Sequence, residues 1–420
     1  MHTPSYSHIA GKHVLIIVEN LPVPFDRRVW QEATTLREAG ADVSIICPRM
    51  KGFTTPYEQL DGIDIYRHPL PVEASGPLGY LIEYGTSIFW WYWYAIRIFA
   101  KKRFQVIHGC NPPDLIFTVA LPFKLLGVKY LFDHHDINPE FYIAKFERKD
   151  FFYRLMLLFE RITYRVADVS IATNESYRQI AIQRGGMNPD DVTIVRSGPK
   201  LDRLRIMPGD DACKKGRRYL VGYLGVICES EGIDLLLEAV QKIVAKRQDV
   251  QFAIVGGGTS LDDMKKLAAD MQLTDYVDFY GRVPDELLLK VLNTAEVCVN
   301  PDRPTEMNNL STMNKIMEYM ALKKPVVQFD LKEGRFSAQQ ASLYAEPHNI
   351  TDFADKITYL LDNEAVRQQM GEFGYNRVLN ELSWSHERGK LLGVYDKLLS
   401  TFRQRQPAPQ PVLSTQPARG

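Results

Sequence analysis

The sequence predicts an α/β protein made of two Rossmann-like halves. Three observations carry this: apolar runs of strand length alternate with helical patterns, the alternation breaks once near residues 198–218, and it then begins again. In the first half, HVLIIV (His13–Val18) is followed by a loop and a helical pattern near Arg28–Ala39. Gly40 stops that helix, and a second strand follows at Val43–Cys47. Further strands are expected at 106–108, 130–133, 169–172 and 193–195. Runs this uniformly apolar, separated by helices, belong to a parallel sheet covered on both faces.

The stretch GPKLDRLRIMPGDDACKKGRR (198–218) has two prolines and mixed charge, and reads as a linker. A second series of strands then runs through 219–224, 251–255, 277–280, 297–300 and 326–329, with helices at 233–246 and 261–271 between them. The domains are therefore placed at 1–200 and 219–382, with the linker at 201–218. A helix is expected at 383–403. The Pro/Gln-rich tail at 404–420 has too little apolar surface to form a core.

Composition removes several classes of function. A hydrophobic content of 45% with 24% charged residues is that of a globular protein, and 420 residues exceed one ordinary core. Lys plus Arg and Asp plus Glu stand at 51 each, so no overall field favours nucleic acid. Five cysteines, spread singly without C-x-x-C spacing, fit a reducing compartment and argue against structural zinc. The polar start MHTPSYSHIAGKH has no signal-peptide pattern, so a cytoplasmic location is expected. The run IFWWYWYAI (88–96) is too short, at about 1.5 Å per residue, for a hydrocarbon core of about 30 Å. The oligomeric state is not legible.

Ligands of open α/β sheets sit beyond the carboxyl ends of strands, and four such loops are unusual here. ENLPVPFDRR (19–28) delivers Arg27 and Arg28 to a helix start, either to clamp a phosphate from the facing domain or as solvated charges behind an Asp26 cap. DHHDINPE (133–140) sets His134, His135 and Asp136 after a strand. These suit a polar acceptor-side site better than a metal, for which no third ligand is evident. GVICESEG (225–232) and the GGG at 256–258 bring Gly225, Gly256 and Gly257 to strand ends, as a phosphate approach or as plain tight turns. In NPDRPTEMNNLSTMNKIMEYMALKKPVV (300–327), a helix containing Asn314 carries Lys315 and Glu318 one turn apart. Lys315 suits a diphosphate and Glu318 the vicinal hydroxyls of a ribose; the plain alternative is a surface ion pair between them.

At these residues the chain resembles the GT-B glycosyltransferases of family 4. EYMALKKPVV is similar to that family's E-x-M-A-x-x-x-P-V-V signature, and LPVPFDRRVWQEA, HGCNPPDL, DHHDINPE and TNES look like a bacterial subgroup associated with surface polysaccharides. The resemblance extends from His13 to about Phe402. It implies two Rossmann-like domains facing a cleft, with the C-terminal helix returning to the first. It also implies a UDP- or GDP-linked sugar donor as substrate, with no cofactor and no metal. The donor would lie on the second domain, its ribose on Glu318 and its base near Arg282, within Gly281–Pro284. A saccharide or polyprenyl-diphosphate-linked acceptor would lie on the first domain near His135 and, less directly, His134 and Asp136.

Two departures stand out. The family's arginine and lysine in the G-R-x-x-x-x-K-G turn correspond to Val226 and Glu231, which leaves Lys315, Arg27 and Arg28 as the candidate cations for the diphosphate. The first acid of the family's E-x7-E pair corresponds to Leu310. A protein that binds a sugar nucleotide without transferring it is the alternative reading. The aromatic stretch Trp90, Trp91, Trp93 and Tyr94, followed by Arg97, Lys101, Lys102 and Arg103, together with the basic and aromatic stretch 145–165, suggests docking on an anionic membrane surface at the inner face of the cell membrane.

Overall fold

Alternating faces of apolar strands organise both halves. The computed structural model describes residues 6–70 and 76–400, with side chains described from residue 85 onward in the helix that begins at Gly76. The first sheet contains β1 (His13–Val18), β2 (Asp42–Pro48), β3 (Tyr57–Leu60), β4 (Ile63–His68), β5 (Val106–Cys110), β6 (Lys129–His134), β7 (Val169–Ala172) and β8 (Val192–Ile194). Its order is β3-β4-β2-β1-β5-β6-β7-β8, parallel throughout except for β3. The second sheet contains β9 (Tyr219–Leu224), β10 (Val250–Val255), β11 (Val277–Gly281), β12 (Val297–Asn300), β13 (Val326–Phe329) and β14 (Ser342–Ala345), all parallel, in the order β11-β10-β9-β12-β13-β14. The β3–β4 hairpin was not read from the sequence. It turns at Asp61-Gly62, both in the left-handed region, the geometry of a tight two-residue hairpin turn.

In the first domain the helices are α1 (Arg27–Glu38), α2 (Gly76–Lys101), α3 (Phe117–Leu125), α4 (Asn138–Phe146), α5 (Phe151–Val166) and α6 (Glu175–Gln179). The second domain has α7 (Ile233–Val244), α8 (Leu261–Asp270), α9 (Asp285–Thr294), α10 (Glu306–Leu310), α11 (Asn314–Ala321), α12 (Lys332–Ala338), α13 (Ile350–Asp362) and α14 (Glu364–Arg377). The chain then continues into α15 (Trp384–Ser400).

Val14, Ile16 and Val18 of β1 face one core, shared with α1 and α15. Leu15 and Ile17 face the other, shared with α2, α3 and α5. The return of the last helix is built on Trp384, Leu391, Tyr395 and Leu398, all buried against the first sheet, each worth about 1.5–3 kcal/mol relative to exposure. The Trp384 indole also donates to Thr35 Oγ1 at 3.0 Å. Where the chain crosses over, Gly198 lies so close to Leu382 that a Cβ would stand 2.3 Å from its carbonyl oxygen. Leu204 and Cys213, from the stretch read as linker, are buried in the core of the second domain. The tail at 404–420 and residues 401–403 of the expected helix lie outside the described residues.

The domains also meet through TNES. Asn174 donates to the Leu310 carbonyl at 2.9 Å and to Thr312 Oγ1 at 3.1 Å, and Ser176 Oγ donates to Glu333 at 2.6 Å. Leu310 itself packs against the core of the first domain, so an apolar side chain at this position serves the domain contact.

Among the described residues no helix is long and apolar enough to cross a membrane. The aromatic stretch divides by helical face. Trp93 is exposed, Trp90 and Tyr94 are half-buried, and Trp91 is fully buried with its indole N–H on Glu19 Oε2 at 2.9 Å. Trp91 is thereby corrected from a surface aromatic to a core residue, since its place on α2 turns it toward the sheet.

Candidate functional site

The loops at the carboxyl ends of the two sheets come together in two charge clusters and one buried triad. The first cluster belongs wholly to the first domain. Asp26 caps α1, accepting from Val29 N at 3.1 Å, and this sets the first turn of the helix so that Arg28 points inward. The Arg28 guanidinium is buried. It donates to Asp133 at 2.7 and 3.1 Å, to the Val195 carbonyl at 2.7 Å and to Ser197 at 3.2 Å, and lies 3.2 Å from Glu32 one helical turn on. Arg28 is thus no cross-cleft phosphate clamp. Its charge is spent on carboxylates inside its own domain.

Asp133 ends β6. Burial alone would raise its carboxyl, but Arg28, His135 and His108 outweigh that and hold it well below the usual carboxylate range. Its Oδ2 also meets His135 Nε2, which orients the ring, and the His135 backbone N–H donates to Asn111 Oδ1 at 2.6 Å. His135 keeps 14% of its side chain exposed. Behind it, Glu32 is fully buried, and burial drives its carboxyl well above the usual range, against the pull of Arg28. His108 is also buried, its Nδ1 against the Tyr395 hydroxyl at 2.8 Å, and desolvation lowers its pKa.

His134 differs from its neighbour. It is buried, with Nδ1 on the Tyr164 hydroxyl at 2.8 Å and its ring against Phe132 and Tyr177, and burial brings its pKa down to about 3. A neutral imidazole wedged in a core is a packing element, which removes it from the reacting groups. Asp136 is exposed at the loop surface, and its backbone carbonyl accepts from Asn111 at 2.6 Å.

Ligand atoms of Glu32, Cys110, Asp133 and His135 lie within 4.8 Å of one another, a grouping that could suit a metal ion. The Arg28 guanidinium stands among them, so a cation there would meet a fixed positive charge at contact distance. The donor set fits an ion network better than a metal.

On the second domain, Lys315 of α11 is buried between Glu231 and Asp302, 2.9 Å from the latter, with its ammonium over the Tyr223 ring. Burial disfavours its charge, and Asp302 and Glu231 more than restore it. Burial pushes Asp302 up to about 7 in spite of Lys315. Lys315, expected to balance a diphosphate, already faces two carboxylates. The acid at 231 and the lysine at 315 compensate each other, and Val226 is an exposed apolar residue. The glycines act sterically here. A Cβ on Gly256 would stand 1.8 Å from the Gly225 carbonyl, and one on Gly225 would meet the Tyr223 hydroxyl at 2.3 Å, so these turns pack on each other. Gly257 has room for a Cβ. Asn314 is exposed at the first turn of α11.

The second cluster spans both domains. Glu318, 13% exposed, accepts on Oε1 from Arg27 at 3.1 Å and from Arg203 at 3.0 Å. Arg203 grips Asp285 with two further bonds of 2.6 and 2.9 Å. Arg282 lies over the Phe25 ring at 4.5 Å, a second contact from the loop after β1 to the second domain. Arg27 and Glu318 therefore do come together, as do Arg282 and Phe25. Lys315 and Glu318 do not pair. Arg203, Asp285, Glu32 and His108 are not among the site residues expected from the sequence, whereas Asp133 opens the DHHDINPE loop. The Arg28/Glu32 spacing of four was a visible signal for one of them, whereas Arg203 sits in a stretch that carries no periodicity.

A family model described as "Glycosyl transferase 4-like domain" matches residues 26–198, and one described as "Glycosyl transferases group 1" matches 218–363. Both halves of the chain thus match glycosyltransferase models. It is 26% identical over 183 residues to an alpha-D-kanosaminyltransferase of Streptomyces kanamyceticus, covering 43% of this chain and 46% of that protein. It is 29% identical over 180 residues to a poly(ribitol-phosphate) alpha-N-acetylglucosaminyltransferase of Staphylococcus aureus, covering 42% of this chain and 35% of that protein. The matches thus span less than half of either relative. In fold, the chain is similar to sucrose-phosphate synthase of Thermosynechococcus elongatus, with a TM-score of 0.78, 18% identity, and coverage of 93% of this chain and all of that one. The fold is GT-B.

Proposed function

We propose that the chain transfers a sugar, with retention, from a UDP- or GDP-linked donor to a saccharide or polyprenyl-diphosphate-linked acceptor in surface polysaccharide synthesis. The observation that carries this is the Glu318 carboxylate, fixed on α11 beside the Arg282–Asp285 turn, with His135 presented by the other domain. Among the described residues both bonds to Glu318 fall on Oε1, which leaves Oε2 to accept from ribose hydroxyls. The base would lie near Gly281 and Arg282. In the transfer, the acceptor oxygen forms a bond to the anomeric carbon as the bond to the donor phosphate breaks, and the leaving diphosphate takes the acceptor proton. The protein's part is to position the reactants and to stabilise charge. His135 orients the acceptor while Asp133 holds the ring, and Arg27 and the N-terminus of α11 face the phosphates in place of cations at 226 and 231. No step calls for a metal or cofactor.

A thermal-shift screen against sugar nucleotides identifies the donor. Donor hydrolysis and transfer are then compared between the wild type and Glu318→Ala, with a loss of about 100-fold expected for the variant. A wild type that binds the donor and never turns it over would establish the alternative, a non-catalytic sugar-nucleotide-binding protein.

An acceptor on a lipid requires a membrane surface, and one face of the first domain suits it. Helices α2, α3 and α5 pack side by side and expose Phe89, Trp93, Ile96, Leu125, Phe151 and Leu158. Exposed Arg97, Lys101, Arg103, Lys149, Arg154 and Arg161 lie on or next to these helices. This mixture suits the inner, anionic leaflet of the cell membrane. Flotation with acidic vesicles is expected to recover the wild type and to lose a Trp93→Ala, Leu125→Ala variant; equal recovery would remove the docking face.

A further inference from the structure

Glu318 is useful to a ribose only if its carboxylate is held in one orientation, and the residue that holds it comes from neither of the loops at the sheet ends. Arg203 lies just after the crossover, between Leu201 and Leu204. Leu204 is buried in the core of the second domain and Leu201 packs against that core, so the backbone of Arg203 belongs mechanically to the domain that carries Glu318. Its guanidinium has two opposed edges. Nε and Nη2 form a bidentate pair with Asp285 at 2.6 and 2.9 Å, and Nη1 donates to Glu318 Oε1 at 3.0 Å. Asp285 is the first residue of α9, where the positive end of the helix favours a carboxylate. Each member of the chain α9, Asp285, Arg203, Glu318 is thus fixed by the one before it.

The contact from Arg27 has a different standing. It reaches Glu318 from the first domain with a side chain that is 56% exposed, against 23% for Arg203, and its other ion pair, to Asp285, is 3.6 Å long. A shift between the domains breaks the Arg27 contact and leaves the Arg203 contact in place. Of the two guanidiniums on Oε1, only Arg203 can hold Glu318 throughout a cycle of binding and release.

We infer that Arg203 is a positioning residue of the nucleotide site: by holding Oε1 of Glu318 and being held by Asp285, it turns Oε2 toward the 2′- and 3′-hydroxyls of the donor ribose. This rests on the reading of Glu318 as the ribose ligand. It assigns a role in donor selection to the linker, and it predicts a defect specific to the ribose rather than a general loss of affinity. A bidentate clamp is geometrically selective, so lysine, a point charge, replaces it only in part.

The test is the ratio of affinities for a nucleoside diphosphate and its 2′,3′-dideoxy counterpart, measured by titration calorimetry with UDP or GDP, whichever the wild type binds more tightly. In the wild type the ratio is expected to be about 10 or more, as for loss of hydrogen bonds to a charged acceptor. Arg203→Gln is expected to bring it down to the value for Glu318→Ala, and Arg203→Lys to fall between. If Arg203→Gln fails to fold, Arg203→Lys carries the comparison. A wild-type ratio in the Arg203 variants, with or without an equal loss of affinity for both ligands, would overturn the inference while leaving Glu318 as ribose ligand. A wild type that binds UDP or GDP without preferring the ribose form removes the Glu318 reading itself, and the inference with it. A wild type that binds neither removes the donor reading altogether.

Discussion

Arg27 and Arg28 are adjacent in the chain and opposite in circumstance, and the regions they enter differ in the same way. Around Asp133 the arginine, the carboxylates and His108 are buried, His135 keeps one edge exposed, and all are mutually bonded and confined to one domain. Around Glu318 the arginines come from two different parts of the chain, and the pairs keep contact with solvent. A buried pair is expensive to form and more expensive to break, whereas an exposed pair is worth about 1 kcal/mol or less. The first arrangement holds a histidine in a fixed pose. The second can exchange a protein partner for a ligand. Under the proposed function the two clusters would divide the work of one site, the first domain giving rigidity toward the acceptor and the seam between domains giving exchangeable contacts toward the donor.

This contrast is broken most directly at Arg28. Arg28→Met leaves Asp133 and Glu32 buried without their cation, and chemical denaturation is expected to show a loss of about 3–5 kcal/mol. A loss below about 1 kcal/mol would place the first cluster in the same class as the second. Next in size is His135→Ala, which removes the orienting ring and leaves Arg28 on Asp133. Turnover is expected to fall about 100-fold with donor affinity and melting temperature near wild type. A parallel loss of stability would make His135 part of the packing, like His134.

The buried triad on the second domain sharpens the comparison through pH. Asp302 titrates near 7 in the folded chain and near 4 when unfolded, so the folded form binds its proton more tightly. Its contribution to stability is complete below about pH 4 and declines as pH rises through 7. Lys315, Glu231 and Tyr223 are the titratable groups that face it, and Asn300 hydrogen-bonds to it. Asp302→Asn is therefore expected to flatten the fall in stability between pH 4 and 7, measured as unfolding free energy against pH. An unchanged slope would show that the triad does not retain this proton. Smallest of all, Arg27→Gln is expected to change stability by less than about 1 kcal/mol in the same measurement, and a loss comparable to that of Arg28→Met would contradict the division between the clusters.

How much of this was legible follows from what local sequence encodes. Strands buried on both faces are continuous apolar runs, so most of both sheets could be read. The β3–β4 hairpin escaped because YEQL and IDIYRH mix polar and apolar residues, although Asp61-Gly62 between them was a usable turn signal. β14, SLYA, escaped because only two of its residues are strand formers and it opens on a serine, so it lacks the continuous apolar run of the other strands. On α2, aromatics occur on every face, so the sequence did not say that Trp91 was the one turned inward to Glu19. The residue types of the site were recognisable, but their partners were not. Lys315 looked available because Glu231 and Asp302 are 84 and 13 residues away in the chain, and only folding brings all three together. Arg203 had no local signal at all, since its role depends on α9 and α11 meeting the linker.

On the proposed function, the donor enters at the exchangeable cluster while the Asp133 cluster stays fixed. A crystal structure with the nucleoside diphosphate that gives the largest thermal shift tests it most directly. Ribose hydroxyls are expected within hydrogen-bond distance of Glu318 Oε2, with Arg203 still on Oε1 and Asp285, and Arg28 still on Asp133 and Glu32. A ribose bound away from Glu318, or an Arg28 guanidinium drawn out of the first domain onto the phosphates, would contradict it.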